Sequence, residues 1–143
     1  MADAPLDELP GWALELLRSA RVGRLGMIDD RGGPRVLPVT FALAGGAVWS
    51  AVDHKPKRRP GAELARVRFL RSRPAASLCV DRYDDDWSQL AWVQALGQVA
   101  VVEDEPPGDA LAALVEKYAP YGERAPDGPL LRLRVDRALC WRA

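Results

Sequence analysis

The last strand-like run of the chain, residues 129–141, alternates apolar and charged side chains. Leu131, Leu133 and Val135 are apolar, and each is followed by a charged residue: Arg132, Arg134 and Asp136. Successive side chains of a β-strand point to opposite faces of a sheet, so this pattern predicts a strand with one buried and one exposed face. The run therefore indicates a fold in which a sheet covers the core.

Five further runs predict strands, and three stretches with apolar residues at helical spacing predict helices. The strands cover residues 21–28, 35–43, 47–53, 75–83 and 90–104, and the helices cover residues 9–20, 61–73 and 106–118. Pro38 predicts an edge or a bulge in the second strand, and Gly97 predicts a bend in the fifth. Six mostly antiparallel strands with three peripheral helices are typical of a mainly β (α+β) fold that forms a small closed or half-closed barrel.

The length and the charge balance limit the classes of protein to consider. A chain of 143 residues has the size of one domain. We therefore expect a single domain over residues 1–143, with an N-terminal helix within residues 1–20 and the barrel in residues 21–143. The 20 basic residues match 20 acidic ones, which speaks against a nucleic-acid or membrane-surface partner, because such binders carry a basic excess.

Further sequence features predict the compartment and the source. No apolar run approaches the ~20 residues of a transmembrane helix, and the N-terminal residues show no secretory signal. Cys79 and Cys140 stand in apolar runs without metal-ligand spacing, as expected of buried thiols in a reducing cytoplasm. Abundant arginine, alanine, glycine and proline are typical of a high-GC genome such as that of an actinobacterium.

Positive charge is concentrated in one segment, "DHKPKRR", directly after the third predicted strand. It holds the only histidine and four cationic residues: His54, Lys55, Lys57, Arg58 and Arg59. Fixed cations just before a helix favour a phosphate site, because ammonium, guanidinium and free amide groups converge there. A solvated basic loop is the alternative interpretation. The chain has no P-loop and no GxGxxG segment, so a phosphate-bearing cofactor lying along the barrel fits this segment better.

Three segments together resemble a known family: "ARVGRLGMIDDRGGPRVLPVTFAL", "AVWSAVDHKPKR" and "ASLCVDRYDDDWSQLAWVQALGQVAVVED". They are similar to the pyridoxamine 5′-phosphate oxidase-like proteins with an FMN-binding split barrel, and more narrowly to their actinobacterial branch of F420-dependent oxidoreductases. The resemblance extends from about Ala20 to Trp141 and is most specific at "VDHKPKR" and "YDDDWSQLAWV". The chain departs from the pattern at Pro60 and Gly61, which look like an insertion and leave the roles of Arg58 and Arg59 open.

The resemblance implies a six-stranded antiparallel split β-barrel that binds the deazaflavin F420 or, alternatively, FMN. It implies hydride transfer between the cofactor and a small organic substrate, and a homodimer with each cofactor in a groove between the subunits. Lys57 would bind the cofactor phosphate, with Lys55 and Arg58 beside it. Residues near the ring would come from a second set: Pro38, Val39, Thr40, Ser50 and Asp53. Residues 87–92, including Trp87 and Trp92, would close the pocket from the same or the partner subunit.

Two alternatives remain open at this point. The same fold also fits a non-catalytic flavin- or haem-binding protein. The acidic segment "DRYDDDW" lacks the glycine and glutamate of an EF-hand, so we interpret Asp84, Asp85 and Asp86 as a solvated loop or as charge partners of the second predicted helix. We predict no catalytic side chain and no metal ligand in this chain, since the cofactor would carry the chemistry.

Overall fold

The computed structural model of the protein describes residues 2–52 and 64–143. The described residues form eight strands in one antiparallel sheet. The strands are β1 (Ala2–Ala4), β2 (Gly23–Ile28), β3 (Pro34–Val39), β4 (Ala42–Ala44), β5 (Ala47–Ala51), β6 (Ala75–Arg82), β7 (Ala91–Val102) and β8 (Leu130–Arg142). Four α-helices accompany them: α1 (Gly11–Ser19), α2 (Ala65–Ser72), α3 (Gly108–Lys117) and α4 (Ala119–Glu123).

The order of the strands shows that the sheet curls round on itself. Seven strands follow the path β3-β2-β6-β7-β8-β5-β4, and β1 pairs with the free edge of β8 beyond β5. The two ends of this path, β3 and β4, are consecutive in the chain and are joined only by Thr40 and Phe41. No ladder pairs β3 with β4 in the described residues, so the sheet is a barrel split at this junction.

The predicted split-barrel class is thus confirmed, although the number of elements differs. The predicted strand over residues 35–43 is wrong as one strand, because the chain leaves one end of the sheet at Val39 and enters the other end at Ala42. The predicted N-terminal helix is preceded by β1 and by a short 3₁₀ turn, and the predicted loop after Tyr118 contains α4. Pro38 lies on an end strand, as predicted, where its missing N–H breaks no ladder.

A β-bulge between β7 and β8 bends the sheet at Gly97. The register passes from Leu96 opposite Arg137 to Gly97 opposite Val135, so Asp136 has no opposite residue. The bulge also changes which residues of β8 face the core, since Leu131 and Leu133 are buried before it and Ala138 and Cys140 after it. The predicted bend at Gly97 is confirmed, and the predicted alternation holds only up to Val135.

Two buried clusters stabilise the fold. The first fills the barrel with alternate residues of β2, β7 and β8, closed by Leu16 and Leu17 of α1 and by Val67 and Leu70 of α2. The second lies on the outer side of β4 and β5, where α3 and α4 pack over Trp49. Because β5 is covered on both sides, all five of its residues are buried. No helix in the described residues is long and apolar enough to span a membrane.

Candidate functional site

The segment predicted to form the phosphate corner follows β5 in the chain, and β5 itself ends beside the start of β8. Ala51 stands opposite Leu130, and the Val52 N–H donates a hydrogen bond to the Pro129 carbonyl oxygen at 3.2 Å. These contacts fix Val52, the last described residue before the predicted basic segment, at one end of the barrel. The predicted site residues Asp53, His54, Lys55, Lys57, Arg58 and Arg59, and the insertion at Pro60 and Gly61, lie outside the described residues.

Thr40 and Ser50, two residues expected near the cofactor ring, meet at the split of the barrel. The Ser50 hydroxyl donates a hydrogen bond to the Thr40 carbonyl oxygen at 2.7 Å, which ties β5 to the link between β3 and β4. The Thr40 hydroxyl lies 2.8 Å from the Tyr121 hydroxyl. Ser50 is buried and Thr40 is half-buried, so both hydroxyls hold the split together from inside the protein.

Tyr118 is the third residue of this junction. It was not predicted from the sequence as a polar residue of the site. Its hydroxyl accepts a hydrogen bond from the Phe41 N–H at 3.0 Å and faces the carbonyl oxygens of Arg21 at 2.9 Å and Phe41 at 3.0 Å. Burial raises the pKa of the Tyr118 hydroxyl, so the proton that it donates stays in place. The available signal was a pair of tyrosines three positions apart, and in the structure the rings of Tyr118 and Tyr121 meet edge to face with their centroids 5.6 Å apart.

Two more of the predicted residues, Pro38 and Trp92, lie on the surface of the sheet that faces away from the barrel core. We call this surface the outer face. Directly opposite residues of paired strands share a face, so the register defines it across β3, β2, β6, β7 and β8. It carries half-buried or exposed side chains: Val36, Pro38, Arg24, Cys79, Asp81, Trp92, Gln94, Leu96, Leu139 and Trp141. The apolar members of this list belong to neither buried cluster of the described residues.

The outer face combines apolar side chains with one ion pair. Val36 is 64% exposed and Trp141 is 36% exposed, although both are large apolar residues. Trp92 stands opposite Trp141, and Arg24 pairs with Asp81 at 3.5 Å. An exposed apolar surface of this kind marks a binding surface more often than a free one.

Pro38 and Trp92 lie on the outer face but far from each other. Three strand spacings separate β3 from β7, which amounts to about 14 Å. Trp87 precedes Trp92 in the chain. It lies in the 3₁₀ turn Trp87–Gln89 between β6 and β7 and is 69% exposed. Val39, in contrast, is buried. One subunit therefore does not bring Pro38 and Trp92 together within the width of one ring.

The acidic segment between β6 and β7 is an ordered, exposed turn. Asp84 accepts a hydrogen bond from the Asp86 N–H at 2.7 Å, and Asp86 accepts one from the Ser88 hydroxyl at 2.7 Å. Two of the three arginines of α2 pair elsewhere, Arg68 with Asp30 and Arg71 with Glu103. Of the two predicted interpretations the solvated loop is the one that the structure supports. The described residues contain no cluster of three metal-ligating side chains.

These features define a split β-barrel with one exposed sheet face and, in its sequence, a basic segment after β5. A family model described as pyridoxamine 5′-phosphate oxidase matches residues 12–138. The chain therefore belongs to the pyridoxamine 5′-phosphate oxidase family. A search of curated proteins found no match.

Solved structures agree with this assignment at the level of the fold. A conserved hypothetical protein from Mycobacterium tuberculosis is similar with a TM-score of 0.74 and 18% identity, over 94% of this chain and 85% of that one. A FAD-binding protein from Mesorhizobium loti is similar with a TM-score of 0.64 and 19% identity, over 92% and 94%. A haem-binding protein from Mycobacterium smegmatis is similar with a TM-score of 0.68 and 26% identity, over 93% of this chain but only 55% of that one.

Proposed function

We propose that the protein is an oxidoreductase that uses F420, with FMN as the alternative cofactor, and that it acts as a homodimer. The outer face is the observation that carries this proposal, because it offers an exposed apolar platform on which a flat ring can lie. Family membership and the similarity to a protein described as FAD-binding support a flavin-type ligand. The choice of F420 rests on the resemblance of "VDHKPKR" and "YDDDWSQLAWV" to the F420-dependent branch.

The residues present fit a phosphate-bearing tricyclic ring. Lys55, Lys57 and Arg58 supply ammonium and guanidinium donors for a phosphate, and the corner begins directly after Val52. Pro38, on an end strand, leaves its carbonyl side open to a flat ligand. Ser50 and Tyr118 hold the neighbouring link in place, which keeps the main chain at Thr40 in one position.

A second copy of the chain is the occupant that the outer face fits best. Pro38 and Trp92 are about 14 Å apart within one subunit, so the two predicted halves of the pocket meet only if a partner supplies one of them. Trp87 and Trp92 would then cover a cofactor that lies on Pro38 of the other subunit. Trp141, Leu96 and Leu139 would be covered by the same contact, which accounts for their exposure in the single chain.

In this proposal the bound cofactor supplies the hydride chemistry, and the chain supplies binding and shielding. The basic corner neutralises the phosphate, and the main chain from Pro38 to Thr40 orients the ring. The tryptophans of the partner exclude water and leave room for a small organic substrate above the ring. No side chain is assigned to move a proton in this proposal, because the cofactor carries the hydride chemistry.

Replacing Lys57 with alanine is expected to weaken cofactor binding by about 1–3 kcal/mol, because a charge-assisted hydrogen bond to phosphate is lost. The measurement is a titration of F420, and in parallel of FMN, followed by cofactor fluorescence and tryptophan quenching. Arg31→Ala is the matched control, since it removes one exposed positive charge from the turn after β2. Equal affinity of Lys57→Ala and the wild type would overturn the phosphate assignment.

Replacing Leu96 with glutamate is expected to convert the dimer into monomers and to abolish tight cofactor binding. Leu96 is half-buried on the outer face, opposite Arg137 on one side and Ser77 on the other. A carboxylate there would be desolvated in a dimer but not in a monomer. Sedimentation velocity gives the mass, with Ala112→Glu on the exposed side of α3 as the control of equal charge. A wild-type protein that is monomeric at micromolar concentration would contradict the dimer.

Haem is the second candidate ligand, because the neighbour from Mycobacterium smegmatis is described as haem-binding. The chain has one histidine, His54, and it stands within the basic corner. A hemin titration of the wild type and of His54→Ala separates this candidate from the flavin proposal. Saturable hemin binding that His54→Ala abolishes, without binding of F420 or FMN, would replace the proposed function.

A further inference from the structure

A cleft of about 360 Å³ lies between α1 and α3, on the side of the barrel away from the outer face. Its floor is Ala42 and Leu43 of β4, and its walls carry Arg18, Ala113, Glu116 and Lys117. A second cleft of about 320 Å³ shares Arg18 and Leu43 and continues the space along the β4–β5 turn. A volume of this size accommodates a small organic molecule.

Lys117 presents a buried cation at this cleft. Its Nζ has no hydrogen-bond partner in the described residues, although the atom is shielded from solvent. It lies over the ring of Phe41, 3.8 Å from the centroid, and 5.5 Å from the centroid of the Tyr118 ring. The aromatic face attracts the ammonium, but it does not replace the hydrogen bonds that the three N–H groups made with water.

Lys117 has no counter-ion among the residues that the structure describes. Arg21 donates a hydrogen bond to the Lys117 carbonyl oxygen at 2.8 Å, and its guanidinium lies 4.8 Å from the centroid of the Tyr118 ring. Burial, with the positive charge of Arg21 as a smaller cause, lowers the pKa of Lys117 to about 8. Glu116 borders the cleft but forms no ion pair with Lys117 in the described chain. An unpaired buried ammonium is costly and persists where a ligand uses it.

We propose that the α1–α3 cleft binds a small monocarboxylate with an apolar body, held by Lys117 and Arg18. The side chain of Lys117 borders the cleft, and its flexible stem carries the ammonium from the Phe41 ring to the carboxylate. The apolar body lies on Ala42, Leu43 and Ala113. Within the α1–α3 cleft, Arg18 and Lys117 against Glu116 leave one net positive charge, which favours a monoanion over a dianion. Asp7 lines only the adjoining second cleft, where it disfavours a second anionic group. This site is separate from the proposed cofactor groove, because its lining comes from β4, α1 and α3.

The test uses benzoate as the probe and the three lysines of the chain as reporters. Protein labelled with ¹³C in lysine gives separate side-chain signals for Lys55, Lys57 and Lys117. We expect benzoate to shift the Lys117 signal saturably, with a dissociation constant of about 1 mM or lower, and to raise the pKa of Lys117. Binding should therefore be strongest while free Lys117 is protonated, below its pKa of about 8, and should weaken as the pH rises from there to the higher pKa of bound Lys117. Neutral benzamide and dianionic phthalate should bind at least about tenfold more weakly.

Variants separate the cleft from a general effect of charge. Lys117→Met and Arg18→Gln should each weaken benzoate binding by about tenfold or more, whereas Arg124→Gln, an exposed arginine near the end of α4, should not change it. Arg18 is exposed, so Arg18→Gln keeps the fold even if Lys117→Met does not. The proposal is overturned if benzoate shifts only Lys55 and Lys57, if no lysine signal shifts, or if Arg18→Gln and Arg124→Gln bind benzoate equally.

Discussion

Replacing Gly97 with alanine is expected to lower the free energy of unfolding by about 4 kcal/mol or more, which places it among the most damaging single substitutions in the chain. A Cβ at this position would overlap the carbonyl oxygen of Arg134 and would lie 2.8 Å from its carbonyl carbon and 3.2 Å from the Asp136 nitrogen. These are backbone atoms of a central strand, so no side-chain rotation relieves the clash. The bulge that changes the buried side of β8 depends on this close approach.

Urea denaturation followed by tryptophan fluorescence measures the effect. Gly122→Ala is the matched control, because a Cβ at Gly122 in α4 meets no atom within 4 Å. Alanine also has the higher helix propensity, so the control should leave the stability unchanged or raise it by up to about 1 kcal/mol. A Gly97→Ala protein as stable as the wild type would show that β8 has no bulge at Asp136.

Replacing Phe41 with alanine is expected to lower the free energy of unfolding by about 3–5 kcal/mol. Phe41 is fully buried and stands in the link of the split, between the barrel core and Tyr118. The substitution leaves a cavity at the link between β3 and β4. It also removes the aromatic ring that supports the Lys117 ammonium. The change should therefore also loosen the main chain at Thr40, which the proposed cofactor groove uses.

The same denaturation experiment tests this expectation, with Val22→Ala as the control. Val22 is an exposed residue just before β2 and is not part of the outer face, so its truncation should cost less than about 0.5 kcal/mol. Hydrogen exchange then locates the effect, with faster exchange expected at the Phe41 N–H than at the N–H groups of β7. Equal losses for Phe41→Ala and Val22→Ala would contradict the packing at the split.

Local pattern was sufficient to predict most of the sheet. Alternation of apolar residues identified six strands, and Gly97 marked the bend, because both signals arise within one strand. The break at Thr40 has no such signal. Residues 35–43 have strand-forming composition throughout, and the interruption exists only because β3 and β4 belong to opposite ends of a curled sheet. The bulge at Asp136 similarly depends on the partner strand.

Some parts of the candidate site could be predicted from the sequence, and others could not. The sequence alone predicts an anion site at Lys55, Lys57 and Arg58, because their side chains are cationic. These three residues lie outside the described part of the chain. The outer face needed the register, since Trp92 and Trp141 are 49 positions apart in the chain yet stand opposite each other. The orphaned ammonium of Lys117 was not predictable, because burial of its Nζ depends on the packing of α3 against Phe41.

The central claim is that this chain binds a phosphate-bearing deazaflavin, and one measurement tests it most directly. Purified protein is titrated with F420 and with FMN in parallel, and cofactor fluorescence and tryptophan quenching report binding. We predict saturable F420 binding with one cofactor per subunit and weaker binding of FMN. Tight FMN binding without F420 binding would contradict the choice of F420, and binding of neither cofactor would contradict the proposed function itself.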